Sequence, residues 1–148
     1  MIVELLKGLG ITLKHVIRKP NTVNYPEEMR PTSPRARWRH KLLRHDNGLE
    51  RCIGCALCAG ACPSNCINVV AANNTDVDRK SPGERYAAVY EINILRCIFC
   101  GYCEDACPTG AIVLGTDFEL ADYDRATFVY GKDRLLVSEP GEVARVKK

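Results

Sequence analysis

The sequence lacks the features that mark secreted, nucleotide-using and membrane-spanning proteins. Its N-terminal apolar stretch is interrupted by Glu4 and Lys7 and is not followed by a small-residue cleavage site, so we expect no secretory signal. The chain has no glycine-rich phosphate loop and no paired nucleophile and base. We therefore expect no substrate chemistry from this chain.

Cysteine is too scarce for a disulfide scaffold. Nine of the 148 residues are cysteine, whereas disulfide scaffolds exceed roughly 8%. The count is also odd, which disfavours complete pairing. We expect reduced thiols that are available as thiolates. Charged residues at 26% and hydrophobic residues at 46% are typical of a soluble or peripheral chain with one domain and extensions.

The first 19 residues predict an amphipathic helix that ends at Pro20. Its apolar positions follow the i, i+3, i+4 spacing and are Ile2, Leu5, Leu6, Leu9, Leu13, Val16 and Ile17. The opposite face carries Glu4, Lys7, Lys14, His15 and Arg18. A helix with such a face should lie on a surface and not span a bilayer. That surface is either its own domain or a partner.

Residues 20–48 are rich in proline and basic side chains, and we interpret them as an extended linker. Residues 1–51 carry 11 basic and 5 acidic side chains, whereas residues 52–148 carry 10 and 13. The basic run is interpreted as a solvated strap or a patch for anionic lipid. Nucleic acid is the least favoured partner, because Trp38 is the single aromatic residue among the basic side chains between Arg30 and Arg44. A helix on such a tether is expected to dock on another surface.

An internal repeat with a period of 45 residues follows the linker. The segment RCIGCALCAGACPSNCINV, which begins at Arg51, aligns with RCIFCGYCEDACPTGAIVL, which begins at Arg96. Four cysteines and the proline after them coincide in the two segments. Cys66 aligns with Ala111 and is the odd one out. We expect it to be a small buried residue, with a regulatory thiol or a substitute ligand as alternatives.

Each segment has the spacing C-x2-C-x2-C-x3-C-P of bacterial ferredoxins. In that arrangement three cysteines bind one cluster and the fourth binds the other. The sequence therefore predicts two 4Fe-4S clusters. Cluster one is expected to have the ligands Cys52, Cys55, Cys58 and Cys107. Cluster two is expected to have the ligands Cys97, Cys100, Cys103 and Cys62.

Two other uses of these cysteines are disfavoured. Zinc sites usually have two separated C-x2-C knuckles, whereas here four cysteines crowd into each short run. Disulfides between cysteines so close in sequence would constrain little of the chain. The three histidines lack a recognisable ligand spacing and are expected to face solvent: His15, His40 and His45. Four apolar residues are expected to keep water from the clusters: Ile53, Leu57, Ile98 and Phe99.

The predicted fold is α+β, a ferredoxin-like core with two pseudo-symmetric 4Fe-4S binding repeats, preceded by the amphipathic helix and the extended basic linker. Helical turns are expected near residues 59–62 and 104–107. Strands are expected at residues 67–70, 86–92 and 111–114. The expected segments are a surface helix at 1–19, the linker at 20–48, the double-cluster domain at 49–116 and a C-terminal extension at 117–148. Because so small a core supplies little hydrophobic stabilisation, the chain without clusters should be largely unfolded.

The chain resembles the two-cluster ferredoxin-like subunit of respiratory complex I, the proton-pumping NADH:quinone oxidoreductase. The resemblance rests on GITLKHVIRKPNTVNYPEE, RHDNGLERCIGCALCAGACP, ERYAAVYEINILRCIFCGYCEDACPTGAIVLG and DFELADYDRATFVYGKDRLL, the last two of which ordinary ferredoxins lack. In that family the eight matching cysteines are the cluster ligands, in the exchanged pattern given above. Family members often have longer C-terminal tails than this chain.

The resemblance implies a non-catalytic electron-relay subunit within a hetero-oligomer. Its partners would be other peripheral-arm and membrane-arm subunits, and its N-terminal helix would lie at the membrane surface. Electrons from NADH would pass through its clusters towards the quinone-reducing cluster. The expected location is peripheral, on the cytoplasmic face of the bacterial inner membrane. Alternatives are the equivalent subunit of a membrane-bound hydrogenase or ferredoxin-linked complex, and a free-standing soluble two-cluster ferredoxin.

Overall fold

The computed structural model describes residues 2–137, which divide into two units, the first ending at Pro31 and the second beginning at Thr32. In the first unit, helix α1 spans Ile2–Ile17, and none of its residues is buried. The Lys7 ammonium lies 2.9 Å from the Glu4 carboxylate on its charged face. Among the described residues, no helix has the length and apolarity needed to cross a membrane.

The second unit contains five strands: β1 His40–Leu42, β2 Ile67–Asn73, β3 Arg85–Asn93, β4 Ile112–Leu114 and β5 Val129–Tyr130. Its larger sheet has three antiparallel strands in the order β2, β3, β5. A smaller antiparallel sheet pairs β1 with β4. The three strands predicted from the sequence are therefore present as β2, β3 and β4.

A β-bulge in β3, at Ala88, orients the core residues of that strand. The register shifts between Val70 and Ala71, so that Val70 pairs with Val89 and Ala71 pairs with Ala87. Strict alternation along β3 would send residues three apart to opposite faces. The bulge instead allows both Ala87 and Tyr90 to be buried, with at most 1% of either residue exposed. This placement brings Tyr90 into the core beside the cysteines.

Short helices follow the two cysteine loops at equivalent positions. Helix α2 spans Leu57–Gly60, and α3 spans Tyr102–Asp105. Each follows a residue with left-handed backbone, Ala56 at φ 58° and Gly101 at φ 88°. Both helices begin two residues earlier than predicted, because the left-handed residue directs the chain into the turn immediately after the second cysteine.

The structure corrects the prediction of an extended linker over residues 20–48. The Trp38 amide donates to the Gly115 carbonyl at 3.0 Å, and β1 then pairs with β4. Leu42 lies in the core with 2% of its surface exposed. A strand of three residues is too short to show an alternating pattern, and the surrounding prolines and arginines are typical of a linker, so the sequence did not predict β1.

The packed core also extends beyond residue 116, where the C-terminal extension was predicted to begin. A 3₁₀ helix at Arg125–Phe128 leads into β5, and helix α4 follows at Lys132–Leu135. Tyr130 and Leu135 are each 1% exposed and belong to the same core as the cysteines.

The side chain at the start of α4 attaches this segment to the rest of the domain. The Lys132 ammonium lies 2.7 Å from the Glu50 carboxylate and donates to the Ala87 carbonyl at 2.7 Å. The part of the predicted extension from residue 138 onward lies outside the described residues.

Candidate iron–sulfur centre

Four thiols from both repeats line one cavity of the second unit. They belong to Cys52, Cys55, Cys58 and Cys107. Apolar side chains form much of the remaining wall, among them Leu42, Ile53, Val69 and Ile112. Four thiolates in an apolar surrounding are the donor set that a 4Fe-4S cluster requires, so the residues fit that group. These are the four cysteines that the spacing assigned to cluster one.

The other four predicted ligands form a second group around Cys97. Burial raises the pKa of the Cys97 thiol, and the nearby charges of Cys62 and Cys100 raise it further. Burial likewise raises the pKa of Cys103 to about 12, and the charges of Cys97 and Cys100 contribute to the increase. Cys62 therefore lies with cysteines of the second repeat, as Cys107 lies with those of the first.

The two fourth cysteines have matching hydrogen-bond partners. Ser64 Oγ lies 3.6 Å from Cys62 Sγ, and Thr109 Oγ1 lies 3.6 Å from Cys107 Sγ. Burial alone would raise the pKa of both thiols, but hydrogen bonds from these hydroxyls and from the backbone outweigh burial and lower both pKa values. These hydrogen bonds therefore favour the thiolate form of both residues relative to an ordinary cysteine.

Thiols deeper in the first site favour the protonated form. Burial raises the pKa of Cys52 to about 11 and also raises that of Cys58. Cys52 and Cys58 would have to lose these protons to hold a cluster as thiolates. Among the described residues, no group of three or more His, Cys, Asp or Glu side chains is arranged to hold a single metal ion.

Comparisons with known proteins agree with this chemistry. Residues 51–111 match the 4Fe-4S dicluster domain family. NADH-quinone oxidoreductase subunits from two strains of Thermus thermophilus, called subunit 9 and subunit I, are each 60% identical to this chain over 137 residues. The match covers 93% of this chain and 75% of each relative. This chain belongs to the subunit I family of NADH-quinone oxidoreductases.

A solved structure is also similar to this chain. It is that of the membrane-bound sulfane sulfur reductase, an archaeal respiratory membrane complex, with a TM-score of 0.54 and 30% sequence identity. The match covers 78% of this chain and 55% of the other chain, so this chain spans about half the length of that one.

Two buried side chains at the candidate sites of this chain were not predicted from its sequence. Tyr90, 1% exposed, lies with its hydroxyl 3.2 Å from Cys58 Sγ. His40, predicted to face solvent, is also 1% exposed, and its Nε2 lies 3.8 Å from Cys97 Sγ. Burial lowers the pKa of His40 to about 4, so its imidazole is neutral near pH 7. The strand pattern could have placed Tyr90 in the core, but no signal in the sequence pointed to His40.

The expectations for Cys66 and the apolar residues have mixed outcomes. Cys66 is buried, with 6% of its surface exposed, as predicted, and its Sγ lies 3.4 Å from Cys62 Sγ. Ile53 lines the first site as expected. Leu57 and Ile98 do not surround the sites, because they are 53% and 63% exposed. Leu57 precedes Cys58 and Ile98 follows Cys97, but proximity to a cysteine in the sequence did not reveal that both side chains are exposed.

Proposed function

We propose that this chain is the electron-relay subunit of a respiratory complex I, an NADH-quinone oxidoreductase, and has no substrate chemistry of its own. The carrying observation is the 60% identity to subunit I that extends over 93% of the chain, well beyond the dicluster region. Electrons from NADH would enter from neighbouring subunits and leave towards the quinone-reducing cluster. The bound clusters supply one-electron transfer, and the residues of this chain hold them, exclude water and set their charge environment.

We assign the ligands in the exchanged pattern. The cavity that joins Cys107 to the first three cysteines supports the assignment for cluster one. The electrostatic neighbourhood of Cys97 supports the assignment of Cys62 to cluster two. The charge of Cys58 also reaches Cys103, which supports two neighbouring sites between which an electron can pass.

The exposed apolar face of α1 supports its proposed role as the docking element for the membrane arm. Leu5, Leu6 and Leu9 are each more than 60% exposed. Burying a side chain of this kind stabilises an association by about 1.5–3 kcal/mol. The charged side chains on the opposite face would then remain in water at the cytoplasmic surface of the inner membrane, and the whole would be a hetero-oligomer of peripheral-arm and membrane-arm subunits.

Affinity purification of the full chain from its native membranes tests the proposal. We expect NADH-oxidising subunits to co-purify, and iron and acid-labile sulfide each to approach about eight atoms per copy of this chain when it is isolated from the complex. Co-purification with nickel-iron hydrogenase subunits, or recovery of the chain alone, would contradict the assignment to complex I. Zinc without sulfide would contradict the cluster assignment.

The same purification tests the helix when Leu5, Leu6 and Leu9 are changed together to serine. We expect this variant to lose the membrane-arm subunits while it retains both clusters. The matched control changes Lys7, Lys14 and His15 on the opposite face to serine and should keep the partners. Equal recovery of the membrane arm with both variants would rule out docking through the apolar face.

A further inference from the structure

Tyr90 is a buried side chain whose hydroxyl reaches one predicted ligand. It lies in β3, is 1% exposed, and belongs to the core that contains the cysteines. Its hydroxyl oxygen lies 3.2 Å from Cys58 Sγ, and within the described part of the chain this is its one hydrogen-bond partner. Leaving a buried hydroxyl without a partner destabilises the folded state by about 1–3 kcal/mol. The contact with Cys58 Sγ avoids this cost for Tyr90.

The direction of the hydrogen bond follows from the chemistry of the ligand. A cysteine that binds iron is a thiolate and has no proton to give, so the tyrosine must donate. Burial, together with the charge of Cys58, raises the pKa of Tyr90 far above its ordinary value, so the phenol retains its proton.

We propose that the Tyr90 hydroxyl donates a hydrogen bond to Cys58 Sγ and thereby raises the reduction potential of cluster one relative to cluster two. This inference rests on the proposed role of Cys58 as a ligand. Reduction adds negative charge to a cluster and its thiolates, so a donor stabilises the reduced state more than the oxidised state. In a buried site this difference is larger than in water, because the dielectric constant is lower.

The second repeat has no equivalent donor at the corresponding cysteine. Cys103 is 45 residues after Cys58 and is also buried, with 6% of its surface exposed. Among the described residues, no side chain makes a hydrogen bond to Cys103, whose thiol meets the backbone amide of Glu104. A side-chain hydroxyl therefore meets the third cysteine of the first segment, whereas the third cysteine of the second segment has no such partner among the described residues.

The test is a pair of substitutions at position 90 in the full chain with both clusters bound, with reduction potentials measured by voltammetry. Tyr90→Phe removes the donor and keeps the ring. We expect the equilibrium constant for reduction of one cluster to fall by up to tenfold, which lowers its potential by about 59 mV for one electron. The potential of the other cluster should stay unchanged. Replacement of Tyr90 by 3,5-difluorotyrosine makes the hydroxyl a stronger donor and should raise the potential that Tyr90→Phe lowers.

Two further variants separate this inference from the assignments on which it rests. Tyr130→Phe is the matched control, because Tyr130 is equally buried and, among the described residues, no hydrogen bond joins its hydroxyl to a cysteine. This variant should leave both potentials unchanged. Cys58→Ala should lose one cluster, and if both clusters remain, the ligand assignment fails and this proposal with it. If Cys58→Ala does lose one cluster, unchanged potentials in both position-90 variants, or shifts of the same sign, overturn the hydrogen bond alone. If Tyr90→Phe loses iron, the difluorotyrosine variant alone tests the hydrogen bond: a raised potential supports it, and an unchanged or lowered potential overturns it.

Discussion

The two cysteine segments have the same backbone conformation at equivalent positions but differ in the side chains that surround it. Left-handed residues recur at three positions with the 45-residue period of the repeat: Gly54 and Phe99, Ala56 and Gly101, Asn65 and Gly110. Each pair contains one glycine, and the glycine belongs to the first segment in one pair and to the second segment in the other two. The binding loop therefore requires the backbone conformation, and either repeat can supply it with a larger residue at a local energetic cost.

The surroundings of the fourth cysteine differ more. Each fourth cysteine has a hydroxyl partner two residues later, but Cys62 also has Cys66 as a neighbour, whereas Cys107 has Ala111 at the equivalent place. Because Cys66 Sγ lies 3.4 Å from Cys62 Sγ, we expect Cys66 to be able to replace Cys62 as the proposed fourth ligand. The two sites should therefore respond differently to loss of the fourth ligand.

The largest expected effect is the loss of a cluster from Cys107→Ala. This variant has no spare thiol at position 111, so iron and sulfide should fall from about eight to about four atoms each. In Cys62→Ala, Cys66 can take the vacant ligand position, and we expect a clearly higher iron content than in Cys107→Ala. Iron and sulfide analysis of the purified full chains, with electron paramagnetic resonance of the remaining cluster, measures both results.

The control for this comparison is the double variant Cys62→Ala with Cys66→Ala, which should resemble Cys107→Ala. Cys66→Ala alone should retain both clusters. Equal iron loss from Cys62→Ala and Cys107→Ala would refute the substitute role of Cys66. In Cys107→Ala, loss confined to the cluster of Cys97, Cys100 and Cys103 would refute the exchanged pattern.

Sequence spacing anticipated the strands and the meeting of Cys107 with Cys52, Cys55 and Cys58 at one cavity, and the assignment of these cysteines as ligands stays a prediction. The spacing did not anticipate β1, whose three residues lie within a basic run, or the burial of His40 in it. It also missed the contact between Tyr90 and Cys58, which are 32 residues apart, because a bulge in β3 that no pattern encodes sets the face on which Tyr90 lies. Contacts that depend on strand register are set by tertiary packing and are not local to the sequence.

An intermediate effect is expected at the first left-handed position, where the two repeats differ most in side-chain size. A Cβ added to Gly54 would lie 2.8 Å from the backbone oxygen of Tyr86, which cannot move aside as a flexible side chain could. Left-handed backbone itself is destabilising by about 1–2 kcal/mol for a residue with a Cβ. Gly54→Ala should therefore lower the unfolding free energy by about 2 kcal/mol or more, with the clash added to the strain.

Gly60→Ala is the matched control for that substitution. Gly60 ends helix α2, and a Cβ built there meets no atom within 4 Å. Denaturant-induced loss of iron–sulfur absorbance in the holo chain measures both variants, and Gly60→Ala should lie within about 1 kcal/mol of the parent. Equal destabilisation by the two alanines would mean that the approach of Gly54 to β3 does not matter for stability.

The smallest expected effect concerns His40 and the second site. Its Nδ1 is buried without a hydrogen-bond partner among the described residues, while Nε2 lies 3.8 Å from Cys97 Sγ. A proton on Nε2 points a donor at the thiolate, whereas a proton on Nδ1 would leave a buried N–H unpaired and direct a lone pair at negative charge. His40→Leu should therefore lower the potential of cluster two, by about threefold in the reduction equilibrium, or about 30 mV for one electron. The effect is smaller than that of Tyr90→Phe because the contact is longer by 0.6 Å.

Two control variants accompany this prediction. His40→Gln, which retains a donor, should restore part of the shift, and His45→Leu, which changes a less buried histidine, should cause none. A shift in cluster one, or one larger than that of Tyr90→Phe, would show that the two sites are not tuned by separate donors.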